Sequence, residues 1–480
     1  MALDTEQKRK IKIILLLLFV FVGIGAFVGW YKFFREEPQP DWVTATPEMQ
    51  FKYGSIGGEN EAGIPYWIWY VLPRMFPEYL PGSGGYASLG IPWEQGQELP
   101  VGFTKKVIGF SRVGNNCAVC HTATYRRSLL ETPNFVIAGP GHTIDVQGFF
   151  RFLTKSANDP RFNADNLLYE INSVTDLSWL DRLLYRFAII PLTKKALVER
   201  GNQLEWMNRA GLPDWGHGRD DSLNLPKYFL AKIPEDGSFG VADFPSIWAL
   251  NQYGGGKALS WDGSATSIRT FIVDSAVGVG ARQSSHFEAD MQWLADFLGK
   301  LPAPKYPFLI NVQKVASGEV IFKAKCAGCH DGPHVATVIP IEEIRTDRNR
   351  LDTWTQQAAD GTNRAVTVLG IKREGVIKTQ GYKSPYLDGI WLRAPYLHNG
   401  SVPTMRDLLK PVGERPKLFY RGYDLYDPEN MGFVSQGEPA MRVGSKIDVT
   451  QKGNGNQGHE YGTTLSSQDK ELLMEYLKTL

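Results

Sequence analysis

All four cysteines of the chain fall in two copies of one short motif, Cys-x-x-Cys-His. The motif residues are Cys117, Cys120 and His121 in NNCAVCH, and Cys326, Cys329 and His330 in KCAGCH. In haem c attachment the two cysteines form thioether bonds to the porphyrin, and the histidine that follows reaches the iron from the same turn. A redox dithiol or half of a zinc site could explain one such motif, but two motifs that use every cysteine favour haem. The sequence therefore predicts two covalently bound haem c groups, haem 1 and haem 2, with His121 and His330 as proximal ligands.

The sixth position on each iron decides the chemistry of these haems. A second strong ligand gives an electron-transfer haem, whereas an open or labile position lets the iron bind O2 or H2O2. Six further histidines are available, namely His142, His217, His286, His334, His398 and His459. His459 lies in the Gly-rich segment GNGNQGHEYGTTL, directly before the last predicted helix, and we expect it to be the distal ligand of haem 2. The alternative is a histidine of a surface loop.

Two other histidines are candidates for a place near a haem. His398 lies in LRAPYLHNGSVPTM, on a tight Asn-Gly turn between apolar runs, and could line a haem edge or take the role of His459. His142, in AGPGHTIDVQGFFRFL, follows the first motif by about one loop and is a candidate labile ligand of haem 1. The first copy has no histidine loop equivalent to that of His459. We therefore expect haem 1 to have an open or labile sixth position.

The elements that position these motifs are predicted to be mainly α-helical and loop-rich. Each motif is followed, much later in the sequence, by an amphipathic helix. These helices are MQWLADFLGKL in the first copy and SSQDKELLMEYLKTL in the second. Ser466 is the predicted N-cap of the second helix. This arrangement suggests an internal duplication in which two helices cross over one edge of each haem. The Pro-rich stretch PAPKYP marks the boundary. We predict a first cytochrome c-like domain over residues 91–304 with haem 1 and a second over residues 305–480 with haem 2.

The N-terminus predicts a membrane anchor. Ile13 to Trp30 is an uncharged run long enough to span a bilayer as a helix. The basic residues before it are Lys8, Arg9, Lys10 and Lys12. This bias predicts a cytoplasmic tip and a single transmembrane helix within residues 1–35, placed in the inner (cytoplasmic) membrane with the soluble part in the periplasm. No small-x-small cleavage site follows the run, which favours a retained anchor over a cleaved signal peptide. Residues 36–90 are predicted to be a tether and an N-terminal extension.

Composition narrows the possible partners. The net charge is +1, so there is no basic excess to neutralise a nucleic-acid backbone, and we expect no nucleic-acid partner. The hydrophobic content of 43% is enough to bury a large core.

With these motifs and the segments WDGS (Trp261 to Ser264) and RAPYLHNGSVPT (Arg393 to Thr404), the chain resembles the dihaem cytochrome c peroxidase superfamily. Its segments DFPSIW, RPKLFYRGYD and GHEYGTTL are more similar to the rubber oxygenase branch of that superfamily. The resemblance covers roughly residues 90–480. It implies two cytochrome c-like domains with unequal haems, haem 1 being reactive and haem 2 six-coordinate. Calcium between the haems is a feature of the peroxidase relatives, and the acidic and Asn-rich loops permit it without EF-hand spacing.

The chain departs from each relative at specific residues. Peroxidases place a methionine over the electron-accepting haem, but Met405 comes too early and His459 occupies the later position. They also carry a glutamate acid/base after the WDG run, where this chain has SAVGVGARQSS and no glutamate before Glu288. Rubber oxygenases place a tryptophan beside an open haem 1. Trp248 matches it best, with Trp261 as a further pocket candidate, although Trp248 could also be a core residue.

These observations predict an oxidoreductase of the c-type cytochrome class. Haem 1 would bind O2 or H2O2, and haem 2 would transfer electrons to or from a periplasmic or membrane redox partner. The alternative is a membrane-anchored dihaem electron-transfer cytochrome without catalytic turnover, in which both haems are six-coordinate.

Overall fold

Helices account for 45% of the chain in the computed structural model, which describes residues 4–480, compared with roughly 30–35% in typical globular proteins. The strands are short and pair in sheets of two or three. The prediction of a mainly helical, loop-rich chain is confirmed. The first three residues of the predicted cytoplasmic tip lie outside the described range.

The chain begins with a long apolar helix, α1 (Thr5–Phe33), which Asp4 caps through the Gln7 N–H. Its 29 residues correspond to about 43 Å of helix. None of its residues is buried. It is the one helix among residues 4–480 that is long and apolar enough to cross a membrane, a test that a signal sequence near the N-terminus also passes.

The segment after α1 is attached to the body of the protein. The Glu37 N–H donates to the Val107 carbonyl at 3.0 Å, and the Gly109 N–H donates to the Arg35 carbonyl at 2.7 Å. Gly109 has a φ of +72°, and a Cβ there would lie 2.2 Å from the carbonyl carbon of Lys32, so only glycine permits this close approach. The predicted tether is therefore hydrogen-bonded over its first residues and is not a free linker.

The segment after α1 is bonded to an antiparallel sheet of order β1-β3-β2, and the first motif follows this sheet in the sequence. The elements up to that point are α2 (Pro47–Tyr53), α3 (Glu59–Ala62), β1 (Ile64–Pro65), α4 (Tyr66–Met75), β2 (Phe103–Ile108) and β3 (Phe110–Asn115). The first motif begins two residues after β3, so a strand precedes it where a cytochrome-like plan would have a helix.

Helices dominate the stretch from the first motif to the Pro-rich boundary. The strands are β4 (Thr122–Tyr125), β5 (Asn134–Ile137), β6 (Arg219–Asp220) and β7 (Ala242–Asp243). The helices are α5 (Val146–Asn158), α6 (Ala164–Asn172), α7 (Trp179–Leu184), α8 (Ile190–Gln203), α9 (Asn224–Phe229), α10 (Ile268–Gly278) and α11 (Phe287–Lys300). A π-helical segment, Tyr185–Ile189, joins α7 to α8 without a break.

The second motif directly follows one helix of a crossing pair. A crossing pair of helices in this part of the chain is what the sequence predicts. The helices are α12 (Val312–Lys325), α13 (Ala327–His330), α14 (Ile341–Ile344), α15 (Asn349–Thr353), α16 (Gln356–Val368), α17 (Met405–Leu408), α18 (Gly437–Val443) and α19 (Ser467–Leu477). The strands are β8 (Val338–Pro340), β9 (Gly381–Lys383), β10 (Leu418–Arg421), β11 (Tyr426–Asp427), β12 (Gly432–Phe433) and β13 (Ser445–Asp448). Helices α12 and α19 cross at Gly318, where a Cβ would lie 2.0 Å from the Leu472 carbonyl oxygen. Ser466 caps α19 as predicted.

The main hydrophobic core runs across the predicted domain boundary. It joins residues of α2, α10 and α11 to residues of α12, α16 and α19. A second core packs α4, α5, α6 and the α7–α8 helix together. The division at 304/305 therefore does not coincide with a break between cores.

Candidate functional site

The first motif, called site 1, is positioned by a buried asparagine. Asn116 caps the turn Cys117–Val119, accepting from the Ala118 N–H at 2.9 Å. Its amide Nδ2 donates to the carbonyls of Phe51, at 3.0 Å, and Gly54, at 2.9 Å, at the end of α2. These bonds fix the cysteine turn against α2. The four cysteines of the two motifs form no disulfide.

The proximal histidines of site 1 and of the second motif, called site 2, share one anchor. Nδ1 of His121 donates to the Pro245 carbonyl at 2.9 Å, and Nδ1 of His330 donates to the Pro385 carbonyl at 2.8 Å. Such a bond fixes the tautomer and leaves Nε2 free as a metal ligand. Burial lowers the pKa of His121 to about 4 and also lowers that of His330, so both rings are neutral near pH 7, as a ligand must be.

His459 lies opposite His330. The two ring centres are 6.2 Å apart. With metal–nitrogen bonds of about 2 Å and ring centres about 1.1 Å behind each nitrogen, two imidazoles on opposite sides of one metal lie roughly 6 Å apart. The spacing therefore fits one haem iron between these two rings. Burial lowers the pKa of His459 to about 3, which keeps it neutral.

A buried arginine holds the His459 loop in place. Arg415 donates through Nη1 to the carbonyls of Asn456, at 2.6 Å, and Gly458, at 2.9 Å, and through Nη2 to that of His459 at 3.3 Å. Gly458 has a φ of +77°, and a Cβ there would lie 2.4 Å from the carbonyl carbon of Arg345. The loop therefore requires glycine before the histidine.

The other two candidate histidines face aromatic rings. His142 stacks on Phe433 with ring centres 3.9 Å apart, and His398 stacks on Tyr382 at 3.9 Å. Both are buried, and Nε2 of each has no hydrogen-bond partner among the described residues. The structure thus pairs His459, rather than either of these, with a proximal histidine. His142 stays close to site 1 through its neighbour, because the Gly141 N–H donates to the Cys120 carbonyl at 2.9 Å.

Trp248 lies between the two proximal anchors. It is buried, and its Nε1 donates to the Asp388 carbonyl at 3.1 Å. Trp248 follows Pro245 by three residues and Asp388 follows Pro385 by three residues. The indole therefore connects the segment that anchors His121 to the segment that anchors His330.

A cleft beside Trp248 is lined by two basic side chains. They are those of Lys383 and Arg393, and both are half-buried. Nζ of Lys383 lies 4.5 Å from the centre of the Tyr253 ring, and burial lowers the pKa of this lysine to about 7. Nη1 of Arg393 donates to the Tyr386 carbonyl at 2.6 Å, while its Nε has no partner in the described chain.

These two cations fit the acidic groups of a haem. Within residues 4–480 neither Lys383 nor Arg393 forms an ion pair with a carboxylate, although buried charges are normally paired. A haem carries two propionates, so a propionate in this cleft would provide the missing anion. Sequence reasoning missed both residues, and also the two proline carbonyls and Arg415. The only feature that the segments FPSIW and SPYLD share is a proline at the second position, which is too little to have identified these residues.

Trp261 has a supporting position. Its Nε1 donates to the Asp243 carbonyl at 2.7 Å, and the Asp243 carboxylate is paired with Arg421 at 2.5 Å. Trp261 therefore braces the strand that leads to Pro245. No group of three or more His, Cys, Asp or Glu side chains within 4–480 is arranged to hold a further metal ion, so calcium stays a prediction without a ligand cluster.

Each Cys-x-x-Cys-His motif ends in a neutral histidine whose Nδ1 is bonded to a proline carbonyl. These features define the class of the protein, which is a c-type cytochrome that carries haem c. A family model described as RoxA-like, cytochrome c-like, matches residues 381–420. That segment contains Lys383, Pro385, Arg393 and His398.

Two proteins of Sinorhizobium fredii (strain NBRC 101917 / NGR234) are similar to the chain. It is 31% identical over 315 residues to the uncharacterized protein y4iM, in an alignment covering 56% of this chain and 71% of that protein. The chain therefore belongs to the same family as that protein. It is also 42% identical over 120 residues to the uncharacterized protein y4iJ, covering 23% of this chain and 20% of that protein.

Proposed function

We propose that the protein is a membrane-anchored, periplasm-facing dihaem oxidoreductase. Haem 1 would be attached at Cys117 and Cys120 with His121 as its proximal ligand, and would have an open or labile sixth position for O2 or H2O2. Haem 2 would be attached at Cys326 and Cys329. The observation that carries the proposal is the asymmetry of the two sites, because His330 faces His459 at 6.2 Å whereas the histidine near site 1 stacks on Phe433 instead.

Haem c supplies reversible one-electron redox chemistry and, where an axial position is free, a place for a small oxidant. The residues of the chain have separate tasks around it. Pro245 and Pro385 orient the proximal imidazoles, and Arg415 holds His459 on the opposite side of site 2. Lys383 and Arg393 would neutralise propionates, and Trp248 would lie on the path for electrons between the two sites.

The residues favour an oxygenase-like reaction over a peroxidase-like one. Heterolysis of peroxide requires a group that moves a proton from one oxygen to the other. The segment SAVGVGARQSS, which comprises the end of α10 and the loop that follows it, carries no glutamate, and α10 and α11 contribute mainly apolar residues to the core. The resemblance to rubber oxygenases and the match to the RoxA-like, cytochrome c-like model support this choice.

A second candidate function is electron transfer without turnover. It is favoured by His142, a buried neutral imidazole whose Nε2 has no partner within the described residues and whose pKa burial lowers to about 3. If this ring ligated haem 1, both haems would be six-coordinate.

The spectrum of the isolated protein, followed by CO titration of the half-reduced form, separates the two candidates. A high-spin component and a CO adduct at one haem, with the other unchanged, are expected for the oxidoreductase. If neither haem responds at any redox state, the oxidoreductase proposal fails. A His142→Ala variant that gains the CO adduct would then identify His142 as the closing ligand.

Membrane anchoring by α1 is part of the same proposal. The basic residues in the first turns of α1, before its apolar run, favour a cytoplasmic N-terminus and a periplasmic body. N-terminal sequencing of the membrane fraction tests it, because a mature chain beginning near Gly29 would indicate a cleaved signal and a secreted protein.

A further inference from the structure

The continuous helix formed by α7, the π-helical segment and α8 exposes an apolar stripe. Trp179, Leu183 and Phe187 have exposed fractions of 74%, 45% and 73%. They recur every fourth residue. A turn of α-helix holds slightly fewer than four residues and a turn of π-helix slightly more, so the combination keeps such positions in line. We call these three residues the apolar stripe.

The opposite face of this helix is already buried. Tyr185, Ile189 and Ile190 pack in the core with α4, α5 and α6. The stripe is thus a second apolar face, which the fold of the chain leaves uncovered. Contiguous exposed apolar surface of this kind marks an interaction site, since isolated exposed residues are common but aligned large ones are not.

The apolar stripe begins close to the C-terminal end of α1. Nζ of Lys32, in the last turn of α1, forms an ion pair with Oδ1 of Asp181 at 2.6 Å. Asp181 lies between Trp179 and Leu183 in the sequence. This ion pair places the first turns of α7, where the stripe begins, beside the C-terminal end of α1.

Further contacts join the end of α1 to the β2–β3 hairpin. Nη2 of Arg112 donates to the Phe33 carbonyl at 3.2 Å, and the ring of Phe33 packs on Phe110 with centres 6.1 Å apart. Residues 35–37 are also bonded to this hairpin, so the body is attached to α1 through several contacts rather than through a free linker.

The chemistry of the stripe suits a lipid interface. Tryptophan and phenylalanine are favoured at the boundary between acyl chains and headgroups. Arg182 and Lys195 are exposed on the same helix and can reach lipid phosphates, while their aliphatic stems cover apolar surface.

We propose that the apolar stripe inserts into the surface of the bilayer from which α1 emerges, so that one span and one interfacial helix together hold the body in a defined orientation. This proposal rests on the proposed anchoring by α1. The occupant is the lipid itself rather than a partner protein.

The test uses the full-length holoprotein in vesicles of phosphatidylcholine and phosphatidylglycerol. An environment-sensitive fluorophore is attached to a Phe187→Cys variant and, as a matched control, to Val368→Cys, whose native residue is 86% exposed on α16. Lipids with a doxyl group near the headgroup are expected to quench the label at position 187 roughly twofold or more relative to the control. Equal quenching at both positions, or none at 187, overturns the proposal.

Two further outcomes separate the related ideas. If the protein does not float with the vesicles, the anchoring proposal fails. If it floats and the label at 187 stays in water, only the stripe proposal fails. A label that is shielded in native membranes but exposed in pure lipid vesicles would indicate a protein partner and would also overturn the lipid assignment.

Discussion

Sites 1 and 2 share an anchor but differ in what surrounds it. In both sites Nδ1 of the proximal histidine donates to a proline carbonyl. Site 1 is reached from strand β3, and its closing helix α11 packs on α2 through Phe51 and Phe297, with ring centres 5.7 Å apart. Site 2 is reached from α12, which α19 crosses closely at Gly318. The feature that is common to both sites is the proline carbonyl that accepts from the proximal histidine, not the element that leads to the motif.

The two sites differ most on the side opposite the proximal histidine. Site 2 has a loop fixed by Arg415 that presents His459 to His330. The histidine nearest to site 1, His142, has its ring covered by Phe433. Under the proposed function, His459 would be a fixed ligand at site 2 and site 1 would have none, so that one haem would store an electron and the other would react.

The largest expected effect is the loss of one haem per chain. Cys326→Ala with Cys329→Ala should remove haem 2, and the matching pair Cys117→Ala with Cys120→Ala should remove haem 1, because thioether bonds hold the porphyrin. Pyridine haemochrome analysis against protein concentration should fall from two haems to one in each variant. A wild-type value of one would break the comparison between the sites.

His459→Ala should convert haem 2 from low-spin to high-spin, because it removes a strong axial ligand. His398→Ala is the matched control, since His398 is also a buried histidine that stacks on an aromatic ring. Electron paramagnetic resonance of the ferric protein measures both. A low-spin signal that persists in the first variant and disappears in the second would transfer the role to His398.

Gly318→Ala should destabilise the protein by about 1–3 kcal/mol, because the added Cβ would overpack the α12–α19 crossing. Gly278→Ala, at the end of α10, is the control, since nothing lies within 4 Å of a Cβ there. Denaturant unfolding followed by circular dichroism compares them. Equal stability of the two variants would contradict the close crossing at site 2.

Below pH 7, where Lys383 carries its proton, Lys383→Met should lower the midpoint potential of one haem, because loss of a positive charge favours the oxidised, more positive iron. A shift of about 59 mV would correspond to a tenfold change for a one-electron couple. The control is Lys323→Met, whose native side chain is exposed. Spectroelectrochemical titration resolves the two haems, and unchanged potentials in both variants would remove the propionate assignment.

The sequence by itself was sufficient to predict the covalent chemistry and several local elements. Five consecutive residues contain everything needed to attach a haem and supply one ligand, so the motifs could be identified without a fold. Ser466 and the apolar spacing that follows it were sufficient to predict α19. Local sequence also favoured His459 over His398 as the distal ligand, but it gave no distance from either side chain to His330, because both histidines lie in glycine-containing loops.

Only the tertiary structure decided which distant groups meet. Pro245 lies 124 residues after His121 in the sequence, and the two are joined by a hydrogen bond of 2.9 Å. Lys383 and Arg393 became a pair of unpaired cations only when their strand and loop closed over Trp248. The main core also crosses the predicted domain boundary, since apolar residues from both copies pack together. Attachment chemistry depends on neighbours in sequence, whereas ligand choice, charge pairing and core continuity depend on contacts that form only when remote segments are buried together.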